Sequence, residues 1–407
     1  MSRLTRRHVI HLGAGLSCCH LSSSGLQASG DLERLAPGQP AVINIFLRGG
    51  LSHLDSFDPK PDAPAGIRSS FGRIKTSAAG IHVTDLWPEL AKRADSFTIL
   101  RSLHHHNPEH EAASRIIHTL KEDARLSTPS VGAVLQHQLN SKLPRYAAVP
   151  YLADDSGALG SRCRSYPILG PLGKTESDEI PGALKRMALL RRLRETQPDA
   201  AVDDLREQQD RVHAVLESPQ FRRLTTFTAE EERIRTAYGN HSTGKHIFLA
   251  RQAISQGMRY VVVDLPGWDM HTNLAEGCRK KMPPVDQAIA ALLDDLNSSG
   301  LLKTTLVLVT TEFGRGPDIS SDAKPGRGHW ADAMSFLVAG GPVPGGQVVG
   351  DTGPEGRKSE AVSHLPDDLS ASLYAWLGMD WDVLLPGEDA VLNTHGSPIK
   401  ELQIPKA

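Results

Sequence analysis

Short apolar runs recur along the chain, and each gives way at once to a polar cluster. Residues 41–47 run Ala-Val-Ile-Asn-Ile-Phe-Leu and stop at Gly49-Gly50, and residues 97–100 stop at Arg101. Residues 260–264 are Tyr-Val-Val-Val-Asp ahead of Pro266-Gly267, and residues 305–310 are Thr-Leu-Val-Leu-Val-Thr ahead of Thr311-Glu312. Runs this short, apolar on successive positions and bounded by turn residues, predict strands buried on both faces, as in a parallel sheet. A further apolar stretch covers 334–339.

Between the runs the period changes. Val285, Ile289, Leu292, Leu293 and Leu296 share one helical face over 285–297, and Ser298-Ser299-Gly300 ends it. Residues 176–235 are highly charged and helix-forming, which predicts an inserted or peripheral helical region. Strands alternating with helices predict an α/β fold: a mostly parallel central sheet with helices on both faces, whose ligands collect beyond the carboxyl ends of the strands. The polar clusters all fall at such ends.

The first thirty residues are set apart from this pattern. Thr5-Arg6-Arg7-His8-Val9-Ile10 opens a short, weakly apolar stretch that gives way to small and polar residues at Gln27-Ala28-Ser29-Gly30. It reads as a twin-arginine export signal, which predicts a periplasmic or extracellular protein. The stretch is too short and too interrupted to span a bilayer, so no transmembrane span is expected. Cys18 and Cys19 fit a lipid-attachment site poorly. The remaining chain, 38–395, is expected to form a single α/β domain with insertions.

Composition narrows the partners. Lys and Arg number 45 against 47 Asp and Glu, and no long basic stripe is interleaved with aromatics, so nucleic acid is excluded as a partner. Outside the leader only Cys163 and Cys278 remain, which allows one bridge but no disulfide framework and no paired-cysteine zinc motif.

Asp, Glu and His delivered by separate strand-end loops are what a divalent metal requires, because carboxylate oxygens and imidazole nitrogens then converge from several directions. Asp269-x-His271, Glu312 and Gly328-His329-Trp330 stand in the order that one sheet would assemble. Arg101, Arg315 or Arg327 would supply a planar fork for an anion. The blander readings stay open: His53 and Asp55 as a capped turn, residues 104–106 as a solvated histidine loop, and Glu312 with Arg315 as an internal salt bridge.

The motifs Gly49-Gly50-Leu51-Ser52-His53-Leu54-Asp55-Ser56-Phe57-Asp58-Pro59-Lys60, Gly267-Trp268-Asp269-Met270-His271, Thr311-Glu312-Phe313-Gly314-Arg315 and Gly326-Arg327-Gly328-His329-Trp330 resemble those of the domain-of-unknown-function 1501 (DUF1501) family, secreted bacterial proteins of the sulfatase-like, alkaline-phosphatase-like superfamily. The resemblance runs from the leader to about Met379. It implies an alkaline-phosphatase-like (sulfatase-like) three-layer fold and a divalent metal, Zn, Ca, Mg or Mn, held by Asp55, Asp269, His271, Glu312 and His329. His53 is a further candidate ligand, and Arg315 a candidate catalytic group.

The chain departs from the superfamily at one telling place. The position of its Ser, Thr or Cys nucleophile falls on His110, which becomes a candidate ligand or general acid–base. Met270 and Gly316 replace expected threonines, and Gly328 an expected Asp. The reading is an exported metal-dependent hydrolase of a sulfate or phosphate ester, with an ester on a polysaccharide as one candidate substrate. The alternative is a non-catalytic relative that binds an anionic glycan or a protein partner.

Overall fold

The computed structural model describes residues 38–152, 156–170, 214–224, 226–360, 362–379, 382–384, 391–393 and 396–405. The expected export signal lies outside the described residues, as does the part of the charged insertion up to residue 213. No helix among the described residues is long and apolar enough to cross a membrane.

In chain order the strands that matter are β1 (Ala41–Phe46), β2 (Arg73–Lys75), β3 (His82–Thr84), β4 (Phe97–Leu100), β5 (Tyr146–Val149), β6 (Tyr166–Pro167), β7 (Tyr260–Asp264), β8 (Thr305–Thr310), β9 (Gly314–Arg315), β10 (His329–Trp330), β11 (Phe336–Ala339) and β12 (Gln347–Val349). The main helices are α1 (Pro88–Ala91), α2 (His110–Thr119), α3 (Val131–Leu139), α4 (Pro219–Arg223), α5 (Ala229–Ala237), α6 (Ser242–Ser255), α7 (Leu274–Ser298) and α8 (Pro366–Leu377).

Eight strands form one sheet in the order β12-β4-β11-β8-β1-β7-β5-β6. β1 pairs in parallel with β7 and β8, with Phe46 level with both Asp264 and Thr310. The parallel, α/β expectation holds, with one antiparallel strand: β11 runs against both β8 and β4. Because β1, β4, β7 and β8 point the same way, their carboxyl ends share one edge, and all four polar clusters emerge there.

β1 shows why the sheet is covered twice. Ala41, Ile43 and Ile45 join the apolar layer that includes Leu90, Ile247, Phe248, Cys278 and Leu292 from α1, α6 and α7. Val42 and Phe46 face the layer holding Ile116, Val134 and Leu369 from α2, α3 and α8. Alternate side chains point to opposite faces, so a strand apolar at both sets of positions has to be buried on both. Each fully buried large side chain there contributes on the order of 1.5–3 kcal/mol.

The helix expected over 285–297 is real but begins eleven residues earlier, at Leu274, and runs through Pro283 and Pro284. Each proline removes a helical N–H. Leu274, Cys278, Met282, Val285 and Ile289 keep one buried stripe across the interruption, so packing outweighs the missing bonds. Cys163 and Cys278 are both buried, and the possible bridge between them does not form.

Candidate metal centre

Close packing at the end of β1 sets the stage. Gly49 and Gly50 adopt φ of +122° and +84°, and a Cβ on Gly49 would stand 2.4 Å from the Asp269 amide nitrogen. Only glycine lets the two loops touch. The amides of Gly49 and Gly50 then turn inward and donate to the two carboxylate oxygens of Glu312, at 2.7 and 3.1 Å. Thr311 Oγ1 lies 3.3 Å from the same carboxylate and accepts from the Leu51 amide.

Glu312 is fully enclosed, and its remaining contact is His110 Nδ1 at 2.9 Å. A carboxylate can only accept, so His110 carries a hydrogen on Nδ1, and in the neutral ring its Nε2 is the atom with the lone pair. His110 is the first residue of α2. Its Nε2 lies 3.3 Å from Asp269 Oδ2.

His329 is fixed in the same sense. The β9–β10 hairpin places it opposite Arg315, and its Nδ1 donates to the Pro108 carbonyl at 2.7 Å. In the neutral ring its Nε2 likewise has the lone pair, and this atom lies 3.3 Å from Asp269 Oδ1 and 2.8 Å from His271 Nε2. His271 Nε2 is in turn 2.9 Å from Asp269 Oδ1. One ligand atom from each of His110, Asp269 and His329 can be chosen so that all lie within 4.8 Å of one another. Phe313 packs beneath, its ring 5.0 Å from that of His110 and 4.5 Å from that of His329.

Lone pairs so close repel unless a cation or shared proton lies between them. Imidazole nitrogens with a carboxylate form a donor set that fits a borderline divalent ion such as Zn better than Ca or Mg, which prefer oxygen. The buried carboxylate behind His110 and the carbonyl behind His329 are the outer partners that such ligands ordinarily have.

Electrostatics favour a cation here. Asp269 and Glu312 carry two negative charges against one positive charge on Arg315. Partial burial works to raise the Asp269 pKa, but the Arg315 hydrogen bond and charge, with His271 and His329, overcome it and hold the carboxyl at about 2. Asp269 therefore stays charged. Burial lowers the His271 pKa against the pull of Asp269, with Arg315 helping to lower it, which keeps that imidazole neutral near pH 7. The side chain of His271 is 51% exposed and that of Asp269 43%, so the centre opens to solvent on their side.

Other expected site residues are spent elsewhere. Asp55, an expected ligand, is enclosed and bound by Arg327 Nε at 2.8 Å, Ser52 Oγ at 2.5 Å and Ser69 Oγ at 2.7 Å. Its charge is neutralised and both oxygens are used. His53 is buried, its Nε2 committed to the Gly356 carbonyl at 2.8 Å and its Nδ1 directed at Gly314; burial pushes its pKa down. Both brace loops rather than join the converging donors. Glu312 supports His110 from behind.

None of the three arginines is free for an anion. Arg315 is enclosed, binding Asp269 Oδ1 at 2.6 Å and the carbonyls of Gly49, Gly50 and Arg327. Arg327 holds Asp55 with the carbonyls of Ile67, Gly316 and Pro317. Arg101 holds Asp58 and the Phe57 carbonyl. The Glu312–Arg315 salt bridge considered from sequence is replaced by Asp269–Arg315.

The histidine run resolves into three roles. His105 is buried and contacts the Glu312 carbonyl through Nε2 at 2.5 Å, fixing the backbone of that residue. His104 meets Ser363, and His106 meets Asp332 on the surface. The support given by His105 was missed from sequence; its place in the strand-end run was the one signal for it.

No protein of curated function matches the chain significantly. Among solved structures, the PsFucS1 sulfatase from Pseudoalteromonas sp. is similar at 14% identity and a TM-score of 0.41, over 84% of this chain and 68% of that one. The phosphonate monoester hydrolase SpPMH from Silicibacter pomeroyi is 14% identical with a TM-score of 0.36, over 91% and 77%. TAB5 alkaline phosphatase is 13% identical with a TM-score of 0.35, over 85% and 100%. These are likenesses of fold. The family model described as "Protein of unknown function (DUF1501)" matches residues 39–402, and the chain belongs to the DUF1501 family.

Proposed function

We propose that the protein is an exported, metal-dependent hydrolase of a sulfate or phosphate ester. One observation carries the reading: the Nε2 atoms of His110 and His329, whose Nδ1 atoms each have their own partner, converge with ionised Asp269 on a solvent-open point. The Arg6-Arg7 leader supports export.

When bound there, a divalent ion supplies Lewis-acid chemistry to an anionic ester and to water. His110, Asp269 and His329 hold the ion, and His271 stands within reach of the same point. Glu312, gripped by the Gly49 and Gly50 amides, keeps His110 in its Nδ1–H form. Arg315 keeps Asp269 ionised and pinned. His271, exposed to solvent, is the group placed to take a proton from an attacking water and then pass that proton to the leaving oxygen.

The first experiment is elemental analysis of protein purified without chelator, beside Asp269→Ala and His329→Ala variants assayed on p-nitrophenyl sulfate and phosphate. The reading expects about one or two divalent ions per chain, and loss of metal and turnover in both variants. Metal-free wild type with turnover equal to that of both variants would overturn it. A second reading has its own support: His110 stands where the superfamily's nucleophile is expected and brings neither hydroxyl nor thiol. A binding protein that retains the ion but turns over no ester would fit that case.

A further inference from the structure

Beside the centre lies a flank of basic side chains with no acidic partner. Arg279, Lys280 and Lys281 follow one another on α7, the first two exposed and the third half-buried. Arg68, Arg73 and Lys75 are exposed on the segment entering β2, and Lys324 on the loop over the start of α7. Among the described residues none of these seven is ion-paired. Elsewhere Arg93, Arg223, Arg233, Arg235 and Arg357 each hold a carboxylate.

Direct contacts tie this flank to the centre from three sides. The Arg279 guanidinium lies 5.1 Å over the Phe71 ring; the Phe71 amide donates to Ser69, Ser69 to Asp55, and Asp55 takes Arg327, two residues before His329. Lys281 Nζ reaches the Pro266 carbonyl at 3.2 Å, three residues before Asp269. The Lys324 carbonyl accepts from the Asn273 amide, two residues after His271. Exposed acids near these residues in the chain include Asp62, Asp85, Glu276 and Asp322, and Glu109, Glu111 and Asp269 are exposed at the centre itself. Cationic side chains without a carboxylate partner, one of them on the Pro266 carbonyl of the loop that carries Asp269, attract anions to that side of the loop.

We propose that this flank is a subsite for a polyanionic glycan, in which Arg279, Lys280 and Lys281 hold sulfate or phosphate groups neighbouring the ester presented to Asp269 and His329. What happens to that ester rests on the hydrolase reading above; the binding does not. Phe71, the aromatic ring of the flank, is buried beneath Arg279, so bases would find no stacking platform and nucleic acid is disfavoured. Among the described residues the exposed large apolar ones, Leu126, Leu139, Tyr151 and Leu169, belong to other segments, so the described flank offers no apolar wedge to a membrane.

The test measures binding of fluorescent dextran sulfate, uncharged dextran and single-stranded DNA to the full chain at low and moderate salt. Wild type should bind dextran sulfate, weaken steeply with salt, and ignore dextran. R279E/K280E/K281E should lose about tenfold or more in affinity at low salt, with melting temperature and metal content unchanged. Should the triple glutamate variant fail to fold, R279Q/K280Q/K281Q serves, with a smaller loss in the same direction. Equal affinity of variant and wild type for dextran sulfate, or tighter binding of DNA than of dextran sulfate, would overturn the proposal. Intact binding by a protein without metal or turnover would instead leave the subsite standing and remove the hydrolase reading.

Discussion

Glu312→Gln isolates the carboxylate behind His110. The substitution keeps the shape of a fully enclosed side chain and replaces one acceptor by an amide that can only donate. Glu312 now receives the Gly49 amide at 2.7 Å, the Gly50 amide at 3.1 Å and His110 Nδ1 at 2.9 Å. In the variant either the Gly50 amide, or the Gly49 amide and His110 together, must face an N–H, and the bonds that remain lose their charge assistance. A hydrogen bond to a charged group contributes about 1.5–3 kcal/mol, so the metal-free variant should be destabilised by about that amount. The larger consequence is at the ion. With its orienting partner weakened, His110 loses the bias toward the Nδ1–H form, and removal of such a partner costs roughly 10–100-fold in metal affinity. Competition against a chromophoric chelator, with Zn and with Mn, measures this directly, and calorimetry of chelated protein measures the stability term. Wild-type metal affinity in a folded Glu312→Gln variant would refute the argument that Glu312 sets the tautomer of His110.

Two further outcomes test the frame of the site. Asp269 is held at about 2, below the ordinary 3.8, so its pairing contributes stability above the unfolded value that is lost as pH falls from about 4 toward 2. The melting-temperature gap between metal-free wild type and Asp269→Asn should shrink over that interval, and a gap independent of pH would contradict the assignment. Gly49→Ala combines a left-handed φ of +122° with a Cβ 2.4 Å from the Asp269 amide nitrogen; it should cost about 1–3 kcal/mol from the backbone conformation alone, lowering the melting temperature and abolishing metal binding, and a variant that melts and binds metal like wild type would refute the close approach.

What the sequence determined by itself was the frame. The runs at 41–46, 97–100, 260–264 and 305–310 are strands, because apolar side chains on successive positions can be satisfied only by burial on both faces. Parallel strands bring their carboxyl ends to one edge, so Asp269, His271, Glu312 and His329 were legible as members of one region before any coordinates. The start of α7 was not: Pro283 and Pro284 interrupt the local signal, and the stripe from Leu274 to Met282 counts only where there is something for it to pack against.

The division of labour within that edge belonged to tertiary structure alone. Asp55 and Asp269 are both loop carboxylates near strand ends, yet one is enclosed with Arg327 and two serines while the other faces three imidazoles. Arg315 lies three residues from Glu312 in the chain but closes on Asp269, 46 residues away. A side chain's type states what it can bind; which partner reaches it depends on how distant loops pack. That is why the spacing that marked these residues as candidates left Glu312 as a ligand in prospect, and only the Gly49–Gly50 turn, folded against it, made it the support of His110.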